Sequence, residues 1–273
     1  REQQRKTWDA FAPGWKKWDG FIMERLRPTG EKLLELVRLR EGMAVLDVAT
    51  GTGEPGLTAA LRVGTGRAVG VDLSEAMAKI AGENARVRGI ANYEARVADA
   101  TSLPFEDGSF DAVICRHGVM FFPDPPAAVT QMARVLRPGG IVALSAWGPP
   151  AANAWAAMVA GIVSKILNLS PSPPDAPGIF RFAGPGALAA LLRGAGLAGI
   201  RQEAVSGEMA YDSPEIYWEM VTEVTAPIAM ALRQVDATLH EQVRLAVLEA
   251  ARAYARDGRV EFPSSAGVAA GVK

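Results

Sequence analysis

The stretch Ala44-Val45-Leu46-Asp47-Val48-Ala49-Thr50-Gly51-Thr52-Gly53-Glu54-Pro55-Gly56 decides the reading of this chain. Met43 to Val48 is a short apolar run, rich in β-branched residues and broken only by Asp47, which suits a strand buried on both faces. Gly51-Thr52-Gly53 then turns the chain, and Leu57, Ala60 and Leu61 give a helical pattern over about Glu54 to Arg62, with Pro55 near its first turn. A strand, a glycine turn and a helix N-terminus together present free backbone N–H groups to a ligand. The glycines let that ligand approach the main chain closely.

Gly51, Gly53 and Gly56 satisfy G-x-G-x-x-G, and Asp72 follows at the distance of a ribose-binding acid. A nicotinamide dinucleotide is therefore one reading of the turn. Asp47, four positions before Gly51, argues for another. A carboxylate beside two phosphates opposes binding, because like charges repel. It favours a ligand with an ammonium or sulfonium group, and S-adenosylmethionine carries both. Here the sequence resembles the class I S-adenosylmethionine-dependent methyltransferases. The run Asp99-Ala-Thr-Ser-Leu-Pro-Phe-Glu-Asp-Gly-Ser-Phe-Asp111 matches that family's D-A-x-x-L-P-F-x-D-x-S-F-D, a more specific signal than any single acid in it. Within the family the pattern is most similar to the ubiquinone/menaquinone biosynthesis methyltransferase-like group. The segment Cys115-Arg-His-Gly-Val-Met-Phe-Phe122 departs from the loop of the quinone enzymes proper.

Outward from the motif, strands are expected at Arg67–Val71, Tyr93–Ala98, Phe110–Cys115 and Ile141–Trp147. Helices are expected between them: Ser74 caps one that Gly89 stops, and Pro125 or Pro126 opens another through Leu136. Such alternation predicts a parallel sheet with right-handed crossovers and a ligand beyond the strands' carboxyl ends. After Pro149 come a helix over Ala151–Leu167, a Pro/Ser loop over Ser170–Gly178 and a short helix over Gly186–Arg193. A sixth strand near Gly199–Val205 follows, then helices over Pro214–Leu232 and Val235–Arg256, the second carrying a solvated His240, and a last strand from Val260.

The resemblance implies an α/β, Rossmann-like, doubly wound sheet of seven strands, the last inserted antiparallel beside the sixth. It also implies one domain over residues 1–273, with an N-terminal helical cap (1–40), a cofactor-binding core (41–148), helices and a sixth strand forming a substrate lid (149–258) and a final strand (259–273).

It assigns the site residues as follows. Asp72 accepts from the ribose hydroxyls, Leu73 and Met77 lie on the adenine, and Asp99 and the Ala100 N–H take its polar edge; Met77 is equally readable as helix core. Asp47 orients the turn Thr50-Gly51-Thr52-Gly53, and the carbonyls of Ala49 and Arg116 meet the amino-acid end. Trp8, Phe11, Trp15 and Trp18 share one helical face, and Ala12-Pro-Gly-Trp15 resembles the family's A-x-x-Tyr cap with Trp for Tyr. That stripe reads either as packing or as a cover over the cofactor. His117 reads either as the base that takes the acceptor's proton or as a wall residue, since imidazole titrates near neutrality.

Composition bounds the rest. The chain of 273 residues has 49% hydrophobic and 22% charged residues, ordinary for one α/β domain with an insertion. A net charge of −1, from 29 basic and 30 acidic residues, gives no electrostatic reason to expect nucleic acid. One cysteine, Cys115, excludes an internal disulfide and suits a reducing cytoplasm. The first residues do not read as a secretory segment, and no apolar run reaches the roughly 18 residues of a membrane span. Two His and one Cys without ligand spacing give no metal set. The expected activity is methyl transfer from S-adenosylmethionine to a small, largely apolar acceptor that is aromatic, quinol or polyketide-like. The sequence leaves two alternatives, a non-methylating S-adenosylmethionine-binding protein or a nicotinamide oxidoreductase, and leaves oligomeric state open, a homodimer among the options.

Overall fold

The computed structural model describes every residue except Ser172 and Pro174. The expected Ser170–Gly178 loop therefore lies, at those two positions, outside the described residues. Five strands run parallel: β1 (Ala44–Val48), β2 (Arg67–Asp72), β3 (Tyr93–Val97), β4 (Phe110–Arg116) and β5 (Leu136–Trp147). The sheet order is β3-β2-β1-β4-β5-β8-β6. β1 pairs with β2 on one side and β4 on the other, so the order reverses there and opens a crevice beyond the strand tips. Ala49 (φ 57°) and His117 (φ 54°) both take the left-handed conformation where β1 and β4 end. Non-glycine residues avoid that region unless their surroundings hold them there.

β8 (Arg259–Val272) inserts between β5 and β6 (Ala198–Tyr211), antiparallel to both. This is the seven-stranded arrangement expected, with one addition. A two-residue strand, β7 (Ala255–Arg256), folds onto β8 through Asp257-Gly258, both at positive φ as a tight hairpin requires. β6 extends well past Val205 because it pairs with β8 as far as Tyr211. β5 begins at Leu136 rather than Ile141: Leu136 pairs with Phe110, and residues 137–140 bulge before pairing resumes at Ile141.

The helices depart from expectation where a side chain or a proline intervenes. α1 (Glu2–Lys17) and α2 (Asp19–Leu36) form the N-terminal pair. α3 (Gly56–Val63) starts two residues late, because Asp47 Oδ2 holds the Gly56 N–H at 3.0 Å. α4 (Glu75–Val87) is capped by Ser74, α5 (Pro125–Val135) by Asp124. The helix expected from Ala151 is a short 3₁₀ turn followed by α6 (Ala154–Ile166). Between them Asn153 bonds to the backbone N–H and C=O of Ser265 and pins the chain. α7 (Ala187–Gly194) precedes β6. The single helix expected over Pro214–Leu232 is two, α8 (Pro214–Val224) and α9 (Ala226–Leu232), because Pro227 lacks an N–H and its ring would strike the Glu223 carbonyl. α10 (Ala237–Arg252) is capped by Asp236 and ends before the β7 hairpin.

One large apolar core joins one sheet face to α5–α10, and a second joins the other face to α2, α3 and α4. Among the described residues no helix is long and apolar enough to cross a membrane, and no group of three His, Cys, Asp or Glu could hold a metal ion.

Candidate active site

The turn after β1 is built by Asp47. This fully buried carboxylate accepts from Thr50 Oγ1 at 2.7 Å and the Gly56 N–H at 3.0 Å through Oδ2, while Oδ1 has no partner. Tyr93 on β3 closes the network, its hydroxyl 2.9 Å from Thr50 Oγ1. Burial pushes the Asp47 pKa up to about 7, against the Thr50 hydrogen bond and the Arg116 charge. Asp47 therefore fixes the loop from below. Gly53 takes φ 118°, a backbone conformation that disfavours any side chain, and a Cβ there would also crowd Leu57 Cδ1 at 2.7 Å. Gly51 (φ 55°) faces outward, with nothing within 4 Å of where its Cβ would stand.

At the tip of β2, Asp72 Oδ2 accepts from the Gly51 N–H and Oδ1 from the Ser74 N–H, each at 2.9 Å. Each oxygen keeps accepting capacity after one such bond. Burial raises the Asp72 pKa to about 6, offset in part by those backbone donors. Leu73 beside it is half-buried, as are Asp99 and Ala100 beyond β3. Asp99 Oδ1 accepts from the Thr101 N–H and hydroxyl, and Oδ2 pairs with Arg1 at 2.9 Å. Met77 is only 2% exposed and packs with Ala12 and Ile80.

Two acids that the sequence did not single out reach this row from the N-terminal helices. Asp9 Oδ1 accepts from Ser74 Oγ at 2.6 Å, docking α1 on the start of α4. Asp19 Oδ1 accepts from Thr52 Oγ1 at 2.5 Å, and Oδ2 lies 3.4 Å from Asn84 Nδ2. Trp15 sits on Met77 and Ile80 through its ring, yet its indole N–H donates to the Val224 carbonyl at 3.3 Å. Trp18 Nε1 donates to Glu223 Oε2 at 2.6 Å. α1 thus spans from the strand tips to the α8–α9 break. The Arg116 side chain turns onto α2, with Nη2 2.8 Å from Met23 Sδ and Nη1 3.5 Å from the Leu26 carbonyl.

On the β4–β5 side the surroundings become aromatic. The His117 N–H donates to both the carbonyl and the hydroxyl of Ser145, at 3.2 and 3.0 Å. Its buried ring nitrogens have no partner. Burial, with the Arg116 charge second, holds the imidazole pKa down at about 3, so the ring is neutral at physiological pH. Trp147 and Trp155 continue the wall, ring centroids 5.0 Å apart, and Phe121 and Phe122 lie half-buried nearby. His240, expected in solvent, is half-buried with its ring edge-on to Trp218 at 5.8 Å.

The open face at Gly51, the spare accepting capacity of Asp72 and the half-buried apolar groups Leu73 and Ala100 fit a nucleoside along the β1–β3 tips. A sheet of this order with such a row defines a nucleoside-cofactor-binding α/β enzyme. Residues 46–144 match the model of the methyltransferase domain family. The chain is 32% identical over 226 residues to nocamycin O-methyltransferase of Saccharothrix syringae, covering 75% of this chain and 81% of that protein. It is 31% identical over 156 residues to demethylmenaquinone methyltransferase of Listeria welshimeri, covering 56% and 66% of the two. In three dimensions it resembles the YcgJ protein of Bacillus subtilis, with a TM-score of 0.60 at 21% identity over 90% of this chain and 97% of that one. The chain belongs to the class I S-adenosylmethionine-dependent methyltransferases, and S-adenosylmethionine is its methyl donor. The nicotinamide reading of the glycine turn is thereby set aside.

Proposed function

We propose that the protein transfers the methyl group to a small, largely apolar acceptor, aromatic, quinol or polyketide-like, by in-line displacement. The observation that carries this reading is the His117 imidazole, polar but unpartnered, set in a wall of Trp147 and Trp155 beside the cofactor turn. Such a wall favours an apolar ring carrying one hydroxyl or acidic C–H over a charged or highly polar acceptor. Two relatives support it by name, one as a nocamycin O-methyltransferase and one as a demethylmenaquinone methyltransferase. On this reading residues 1–40 are a cap, 41–148 the cofactor core, 149–258 the acceptor lid and 259–273 the closing strand of the core.

Asp72 holds the ribose, Leu73, Asp99 and Ala100 the adenine, and the turn from Ala49 to Gly53, with the Arg116 carbonyl, the amino-acid end. Bound S-adenosylmethionine supplies a methyl group already activated by its sulfonium. The chain's own task is then orientation, which supplies on the order of 7–11 kcal/mol when reacting atoms are held in line. His117 takes the acceptor's proton late. A phenol has a pKa of ~10, so moving its proton in advance to an imidazole at about 3 is uphill by on the order of 9 kcal/mol. As the acceptor oxygen gains its new bond, that proton becomes strongly acidic and even this weak base accepts it.

The test is incubation with methyl-labelled S-adenosylmethionine and a panel of phenols, hydroquinones and enols alongside polar amines and small acids. Label is expected on the apolar acceptors. Transfer confined to the polar ones overturns the assignment.

A further inference from the structure

The first residue of α2 stands over the glycine turn, although nothing in its local sequence marks it. The Asp19 carboxylate is fastened to Thr52, the residue after the outward-facing Gly51. Its second oxygen has only the long contact from Asn84, whose amide is already given to the Thr52 carbonyl at 2.8 Å. Among the described residues Asp19 joins no ion pair, since Arg116 turns away onto Met23 and Leu26.

Strand order locates the ligand part that faces this carboxylate. Asp99 follows β3, Asp72 ends β2, Gly51 follows β1 and Arg116 ends β4, and the four strands are neighbours in that order. With the adenine at Asp99 and the ribose at Asp72, the amino-acid end falls at the β1–β4 side, where Thr52 and Asp19 are fastened together. Two cations, Arg116 and Arg88, act on Asp19 from a distance, and Arg88 is already paired with Glu54. Asp47 Oδ1, wholly buried in the same turn, has no partner.

We propose that Asp19 recognises the ammonium group of the cofactor, so that the N-terminal helices complete the cofactor site and do not merely cover it. This rests on the cofactor placement given above. Burial raises the Asp19 pKa, with Glu54 adding and Thr52, Arg116 and Arg88 opposing.

Calorimetry with two ligands tests it. S-adenosylhomocysteine carries the amino-acid end; 5′-methylthioadenosine keeps the adenosine and thioether but lacks it. Asp19→Asn, which preserves the acceptor for Thr52, is expected to weaken S-adenosylhomocysteine by roughly tenfold or more and to leave 5′-methylthioadenosine within about twofold. Equal loss for both, no loss for either, or tighter S-adenosylhomocysteine overturns the proposal. If Asp19→Asn does not fold, Thr52→Val, which unfastens Asp19, carries the same expectation and the same overturning outcomes. Asp72→Asn should weaken both ligands. Unchanged 5′-methylthioadenosine binding there would remove the ribose placement on which the proposal stands.

Discussion

His117 lies face to face with Trp147, ring centroids 4.3 Å apart and planes within 15°. The two side chains leave the tips of adjacent parallel strands: Trp147 lies two positions beyond Ser145, whose register partner is Arg116 and whose carbonyl and hydroxyl hold the His117 N–H. β5 therefore fixes His117 twice, at its backbone and at its ring. That double hold explains how a non-glycine residue stays at φ 54°. The same stack helps bury the ring, and burial, with the Arg116 charge second, keeps the imidazole neutral.

His117→Ala should lower kcat by roughly 10²-fold or more, the usual worth of a positioned acid–base group. S-adenosylhomocysteine affinity should stay within about twofold, because the ring lies on the β4–β5 side of the turn. Steady-state kinetics and calorimetry on one preparation decide the matter. Small, equal changes in both would make His117 a wall residue.

Asp72→Ala should weaken cofactor binding by about 3–6 kcal/mol, the value of two hydrogen bonds to an ionised acceptor. The same carboxylate holds the Gly51 and Ser74 N–H groups, so part of the loss comes through the turn. Titration with S-adenosylhomocysteine measures it. Unchanged affinity would place the ribose elsewhere.

The core of this picture was legible because the signals are local. Val45, Leu46 and Val48 announce a doubly buried strand, and the acids at 47, 72 and 99 recur at strand tips by simple alternation of elements. What escaped depends on distant partners. Asp9 and Asp19 lie in helices read for their aromatic stripe, and they face residues 65 and 33 positions away. The left-handed turn at His117 is imposed by Ser145 on another strand. The apolar period continues across Pro227 from Val224 to Ile228, so periodicity alone predicts one helix where the proline ring makes two. In β6 residues 201–204 and 206–208 are exposed, so the sequence carries no buried alternation to mark its length. Only pairing with β8 shows how far it runs.

Trp15→Phe keeps the packing on Met77 and Ile80 but removes the donor to the Val224 carbonyl, left without a helical partner at the α8–α9 break. The loss should be about 1 kcal/mol of stability, read from urea unfolding at constant m-value. A neutral result would mean that water satisfies the carbonyl equally well.

Gly118→Ala should be more damaging than its size implies. The new Cβ would stand 2.5 Å from Ala49 Cβ and 2.9 Å from Cys115 Sγ, wedging β1 and β4 apart at the crevice. Overpacking of this kind costs about 1–3 kcal/mol. Cofactor affinity should fall along with the melting temperature, because Ala49 belongs to the turn.

Asp47 makes stability depend on pH in a direction opposite to that of most carboxylates. Its folded pKa, raised from 3.8 to about 7 by burial, means that the folded state holds a proton which the unfolded chain has already lost. Stability is therefore lost as pH rises from about 4 to above 7. Between pH 6 and 8 a group with a pKa near 7 accounts for about 1.4 kcal/mol of that loss. Asp47→Asn cannot ionise, and its amide oxygen can still accept from Thr50 and Gly56. The melting temperature of the variant, minus that of the parent, should climb across this interval. Asp72, at about 6, acts in the same direction at lower pH, and His117, at about 3, acts oppositely. Both remain in the variant and cancel in the difference. Thermal melts in one buffer series from pH 5 to 8.5 give the comparison directly, and a flat difference would mean that Asp47 is ionised throughout.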